Sequence, residues 1–323
     1  MRRGEVFASV AAKCTTKCYR LRVNPTLGEA LAAFKIPALI GAAGFGALWG
    51  SFLNVCIARV PRGMSVVSPP SHCFACGNRV QARDNIPILS YLLLRGHCRH
   101  CGAKFSSRHA LVEGLTAVLS VLVFWNFALQ ASGLPLGVRV ARYMVYFAFA
   151  AVLVVLTFID LDTKRLPDVI TLPSVAVFFL AGFAIGDLGW LERAIGAAAG
   201  YALVRLIADG YYYATGREGL GLGDGKLLAM VGALLGWKAL PPIVFSASLV
   251  GVLVSVPVLL LHRRKQNATP SPPALPDDQS PPSPPSIRRS EVPFGPFLAA
   301  STLGYLFLHQ FVWRLIEQAV LGN

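Results

Sequence analysis

Long apolar runs with almost no charge constrain this chain more than any other feature. A helix crossing the roughly 30 Å hydrocarbon layer of a bilayer needs about 20 apolar residues. Eight such runs can be read, at 37–58, 110–131, 143–161, 169–186, 190–213, 225–238, 240–261 and 293–318. The sixth is short and contains glycine. Only 14% of residues are charged, against about 25% in a soluble domain, and the alternation that marks strands is absent. The expected class is all-α: a multi-pass membrane bundle of about eight transmembrane helices with a small cytoplasmic insert.

The formal net charge is +14, which in a soluble protein would suggest nucleic acid as a partner. Its distribution argues for a lipid bilayer instead. Eight Lys or Arg fall from Arg59 to Arg108 and five from Arg263 to Arg289. Basic loops of membrane proteins stay on the cytoplasmic side. With both loops there, the segments at 160–169 and 214–226 share that side and both termini lie outside. One feature resists the scheme: seven basic residues (Arg2, Arg3, Lys13, Lys17, Arg20, Arg22 and Lys35) stand in the first 35 positions, with no apolar core of a signal peptide.

Composition divides the chain into a basic extension (1–35), a first transmembrane helix (36–60), a polar Cys- and Pro-bearing insert (61–109), a membrane core (110–262), a Pro-rich linker (263–291) and a last transmembrane helix (292–323). The linker is of low complexity and cannot bury a core. In the first helix, Gly46 and Gly50 have the spacing that lets membrane helices approach closely.

Cys73-Phe-Ala-Cys76-Gly77 and Cys98-Arg-His-Cys101-Gly102 form two Cys-x-x-Cys-Gly knuckles separated by 21 residues. Two intervening residues let both sulfurs of a knuckle reach one ion, and four thiolates suit tetrahedral Zn²⁺. Two disulfides are an alternative that a reducing cytoplasm disfavours; a rubredoxin-type iron centre is another. A closed Cys₄ site has no open position for water, so such a metal holds the insert together and does not hydrolyse anything. His72, His97 and His100 read as solvated neighbours, and Cys56 as a small apolar residue of the first helix.

Chemistry is better sought at two aspartates. Asp160 ends the run Val145–Ile159 and precedes Leu-Asp-Thr-Lys-Arg-Leu-Pro-Asp. Asp224 lies in Gly221-Leu-Gly-Asp-Gly-Lys226, just before Leu227–Trp237. Acids at bilayer depth are costly and usually functional, and a pair of carboxyls can activate a water between them. The bland readings are specific. A helix C-terminus repels an anion, which counts against Asp160 as a structural residue. Asp224 after a glycine is a natural N-cap, Asp168 after Pro167 reads as the cap of the next helix, and Asp162 faces solvent. Gly221 and Gly223 would permit a turn that side chains block, and Lys226 would sit beside Asp224. A proton-carrying transporter is the rival, but transport acids lie nearer mid-helix.

Five motifs in order resemble the type IV prepilin peptidases, the prepilin leader peptidase/N-methyltransferases. They are Gly50-Ser-Phe-Leu-Asn-Val-Cys-Ile-Ala-Arg-Val-Pro61, the paired knuckles around Asp84-Asn-Ile-Pro-Ile-Leu-Ser90, Arg108-His-Ala-Leu-Val-Glu113, Asp160 with Pro167-Asp168, and Arg217-Glu-Gly-Leu-Gly-Leu-Gly-Asp-Gly-Lys226. The resemblance implies an inner-membrane aspartic endopeptidase in which Asp160 and Asp224 are catalytic. Its substrates would be prepilins or pseudopilins, cleaved after a glycine at the cytoplasmic face. It also implies N-methylation of the new terminus with S-adenosylmethionine, an activity associated with the insert. No motif in the chain marks a pocket for that methyl donor. The basic extension and the Pro-rich linker depart from the family pattern.

Overall fold

A computed structural model of the chain describes residues 35–81, 84–131, 133–216, 221–268 and 293–321. Residues 1–34 of the basic extension, with Cys14 and Cys18, residues 217–220 and residues 269–292 of the Pro-rich stretch lie outside the described residues, whereas Lys35 and residues 263–268 are helical. Within the described residues the regular secondary structure is helical, the insert between the first two long helices is mostly turns and bends, and there is no strand beyond two isolated bridges. The order is α1 (Lys35–Arg59), a 3₁₀ turn (Val60–Arg62), α2 (Leu89–Leu93), α3 (Arg108–Val123) continued by a π-helical turn (Phe124–Leu129), α4 (Leu136–Thr163), α5 (Asp168–Ile185), α6 (Trp190–Thr215), α7 (Leu222–Leu235), a second 3₁₀ turn (Trp237–Ala239), α8 (Leu240–Ala268) and α9 (Gly295–Leu321). Lipid offers no hydrogen-bond partners, so apolar spans close their backbone bonds internally as helices.

Five segments are long and apolar enough to cross a membrane: Lys35–Arg62, Arg108–Leu129, Leu136–Thr163, Asp168–Ile185 and Trp237–Pro257. The all-α membrane architecture holds, but the expected count of eight spans is not reached among the described residues. Two reasons are physical. Helix α6 carries Glu192, Arg193, Arg205 and Asp209. Helix α7 has 14 residues, which rise about 21 Å, less than the roughly 30 Å hydrocarbon core.

Short α7 is nonetheless the interior of the bundle. Leu227, Leu228, Met230, Val231 and Leu234 are buried on it, packed with Phe149, Leu153 and Leu156 of α4 and Leu298 of α9. The other side of α4 joins Leu53 and Ile57 of α1 and Val112 of α3 in a second cluster. Glycines set the helix spacing. A methyl group on Gly232 would come within 2.1 Å of the Gly196 carbonyl oxygen, so α6 and α7 touch backbone to backbone. Likewise a methyl on Gly50 would lie 2.7 Å from Glu113 Cα, and one on Gly46 would lie 2.6 Å from the Thr116 carbonyl oxygen. This is the small-residue packing read from the Gly46–Gly50 spacing.

At the end of the bundle where α5 and α7 finish, Arg193 is completely buried. Its guanidinium donates to the carbonyls of Gly182 (2.9 Å) and Leu234 (2.8 Å). The Gly182 oxygen also accepts from the Gly186 amide at 3.2 Å, and both oxygens lie in the last turns of their helices, so one cation ties two helix ends together.

Candidate active site and metal centre

The opposite end of the bundle gathers Asp160 from the last turn of α4, Asp224 from the first turn of α7 and Gly295, the first residue of α9. The carboxylates are only 5% and 8% exposed, and Asp224 lies within Coulombic reach of Asp160. Gly295 N–H donates to Asp160 Oδ2 at 3.1 Å. A methyl at Gly295 would stand 2.6 Å from that same oxygen, so only glycine lets the start of α9 come so close. The positive end of a helix favours an anion at this point. Nothing in the sequence reading singled out Gly295. Its signal, a glycine between Phe294 and Pro296 at the start of an apolar run, has meaning only once Asp160 is known to lie there.

Neighbouring motif residues hold this end in place. Arg108 donates to Asp162 Oδ1 (2.7 Å) and to the Phe158 carbonyl (3.0 Å), and its guanidinium lies 4.9 Å from the Phe158 ring centroid. The start of α3 is thereby tied to the last turns of α4. Asp162 stays exposed, as expected, and is in addition the ion-pair partner of Arg108.

Four local expectations need correction. Asp224 is not an N-cap: Gly221 occupies that position, and the Asp224 amide donates to its carbonyl at 3.1 Å. Asp168 is not a cap either, since Pro167 takes the position and Asp168 begins α5. Gly221 and Gly223 adopt no left-handed backbone. Gly223 is needed for space, because a Cβ there would lie 2.9 Å from Leu166 Cβ. Lys226 Nζ donates to Asp168, so its charge is answered by that acid and not by Asp224. An apolar groove of about 510 Å³, lined by Leu172, Val175, Phe179, Tyr201 and Lys226, contains neither catalytic candidate.

In the insert the four cysteines come together. The Sγ atoms of Cys73, Cys76, Cys98 and Cys101 all lie within 4.8 Å of one another, with Cys73 and Cys101 at 3.8 Å. Four sulfurs at about 2.3 Å from a tetrahedral zinc would be about 3.8 Å apart. Both knuckles close alike: Gly77 N–H donates to Cys73 O and Gly102 N–H to Cys98 O, with φ of +70° and +72° at the two glycines. Left-handed backbone at these two turns explains the glycines. Backbone amides of Cys76 and Ala75 pull the Cys73 thiol down to about 7. At Cys101 the amide of Ala103 works in the same direction but is outweighed by desolvation and the other three thiols, which push it up to about 11. So crowded a set ionises together only around a cation, and the donor set fits a thiophilic divalent metal. The five cysteines described, including Cys56, are free of disulfides. The three histidines beside the knuckles are not part of the cluster.

Residues 45–127 match the bacterial peptidase A24 N-terminal domain and residues 147–256 match the type IV leader peptidase family. A prepilin leader peptidase/N-methyltransferase from Aeromonas hydrophila is 36% identical over 279 residues, covering 79% of this chain and 85% of its own length. Proteins of the same name from Neisseria gonorrhoeae (38% over 250 residues, 70% and 83%) and Pseudomonas aeruginosa (33% over 278 residues, 79% and 84%) are similar to it as well. The chain belongs to the type IV leader peptidase family. It is an integral membrane protein, and the two matched regions divide the molecule usefully. The first contains the knuckles, and the second contains both aspartates. No solved structure matches it.

Proposed function

We propose that the chain is a bifunctional enzyme that removes the basic leader of prepilins or pseudopilins and then methylates the new N-terminus. The observation that carries the peptidase reading is the convergence of Asp160 and Asp224. Two buried carboxyls from helices remote in sequence meet at one end of the bundle, beside the N-terminus of α9. One carboxylate takes a proton from a water and the other, protonated, donates to the amide nitrogen that leaves. The Gly295 amide holds Asp160 Oδ2, so that the carboxylate's free oxygen addresses the water. Gly223, packed against Leu166, keeps the first turn of α7 close to the chain that follows α4.

In this reading the bundle has eight spans in the bacterial inner membrane, and the aspartate end faces the cytoplasm, where an unprocessed leader waits. Basic residues at that end support the orientation: Arg108, Lys164, Arg165 and Lys226 all lie there. The scissile bond follows a glycine, as the family resemblance implies. Cys73, Cys76, Cys98 and Cys101 hold Zn²⁺, which organises the insert and leaves no open ligand position. The methyl donor is S-adenosylmethionine, as the relatives' names imply for a methyltransferase.

The test is processing of a prepilin by membranes containing each variant. Asp160→Asn and Asp224→Asn are expected to abolish leader removal in protein that is inserted at wild-type levels, whereas Asp162→Asn retains substantial cleavage. Wild-type processing by either of the first two would show that the pair is not catalytic.

A further inference from the structure

The insert presents an apolar surface whose position along the neighbouring helices says what covers it. Helix α2 has only five residues, yet Leu89, Leu92 and Leu93 are 49%, 65% and 73% exposed, and Ile86 just before it is 46% exposed. Such a cluster on a polar insert calls for a partner.

Its place is set by a hydrogen bond. Ile88 N–H donates to Glu113 Oε2 at 2.7 Å, and the same carboxylate bonds Ser51. Glu113 lies five residues inside α3 from Arg108, about 7 Å along the axis. Its Cα faces Gly50 of α1, and α1 runs on to Arg59, about 13 Å further. Both α1 and α3 belong to segments long and apolar enough to cross a membrane. The loop therefore folds back alongside the two spans instead of standing clear of them. Leu111 and Leu115, which bracket Glu113 on α3, are themselves exposed, as apolar side chains of a span in contact with lipid would be.

The backbone of the loop agrees with this depth. Away from water, non-helical amides must be satisfied by the protein. Ile86 N–H donates to Ser90 Oγ, Leu89 N–H to the Pro87 carbonyl and Ile88 N–H to Glu113. Exposed Arg95 follows within two residues of Leu93 and is placed to meet anionic headgroups.

From this geometry we infer that residues 86–93 form an interfacial loop, with Leu89, Leu92 and Leu93 seated in the headgroup–acyl boundary of the leaflet that holds Arg59 and Arg108. The bilayer surface thereby becomes the third support of the Cys₄ insert, beside α1 and α3. The inference stands whether or not the aspartates are catalytic.

Full-length protein in lipid nanodiscs, where both faces are open to a water-soluble maleimide, tests it. Labelling of Leu93→Cys and of Val67→Cys, a site 86% exposed on the same insert, is read site by site by peptide mass spectrometry. Position 93 is expected to react about tenfold more slowly or more, the population factor that burying one leucine supplies. A second variant, Leu93→Trp, is expected to lose fluorescence relative to wild type when the acyl chains carry bromine. Equal labelling at 67 and 93 overturns the inference. So does protection of position 93 without bromine quenching, which would mean cover by a second copy, and so does protection that begins only when a prepilin is added.

Discussion

The two chemically distinctive regions of this molecule are assembled in opposite ways. The Cys₄ cluster is local: two knuckles of the same spacing, each closed by a glycine in left-handed backbone, bring four sulfurs together within one insert. The aspartate site is global: α4, α7 and α9 each contribute one residue, and none of the three is near another in sequence. A cluster of the first kind can be broken by replacing one thiol without disturbing the bundle. A site of the second kind depends on helix packing, so small changes of volume matter there far from any charged group.

The sharpest break in that comparison comes from the aspartates themselves. Asp160→Asn and Asp224→Asn are expected to lower leader cleavage by a factor on the order of 10⁴, the scale seen when an essential catalytic group is removed. Methylation of a pilin supplied already cleaved is expected to continue in both. Loss of the two activities together, in protein of normal abundance, would mean that the regions are not separable.

Next in size is the metal. Purified protein is expected to hold one zinc, and Cys73→Ser is expected to remove it, because a structural site that loses one of four ligands loses most of its folding contribution. Cys56→Ser leaves metal content unchanged. Elemental analysis that finds iron, or no metal in the wild-type protein, contradicts the assignment. Cleavage is expected to fall less than methylation, and the reverse order would place the insert in the peptidase.

A smaller effect probes the role of packing. Gly295→Ala puts a methyl group where Asp160 Oδ2 now lies, and either the carboxylate or the start of α9 must move. Displacement of a catalytic group by about 1 Å costs up to about 100-fold, so cleavage is expected to drop about 10- to 100-fold through kcat, with methylation of pre-cleaved pilin unchanged. A wild-type kcat would show that the contact does not position Asp160. The smallest effect belongs to Lys226. Its partner Asp168 is 58% exposed in its side chain, and such ion pairs contribute about 0–1 kcal/mol. Lys226→Ala is therefore expected to keep cleavage within about fivefold. A loss comparable to that in Asp224→Asn would restore Lys226 to the site.

Much of this protein was legible in its residues alone because the relevant rules are local. Apolar length sets helix and membrane, since lipid forbids unpaired backbone. Cys-x-x-Cys-Gly spacing sets the knuckle turn that brings two sulfurs together, since a left-handed glycine suffices to close it. Asp160 and Asp224 stood out because an acid in an apolar run is costly and needs a reason. What depended on the tertiary structure was every pairing across helices. Lys226 turned to Asp168, although Asp224 is closer in sequence, and Asp162 turned to Arg108. Helix α7, the shortest of the apolar runs, became the buried centre, because Gly196 and Gly232 let α6 lie directly on its backbone. Gly295 gained its meaning only when α9 arrived at Asp160, because a glycine's contribution is the space it leaves, and that space is defined by atoms elsewhere in the chain.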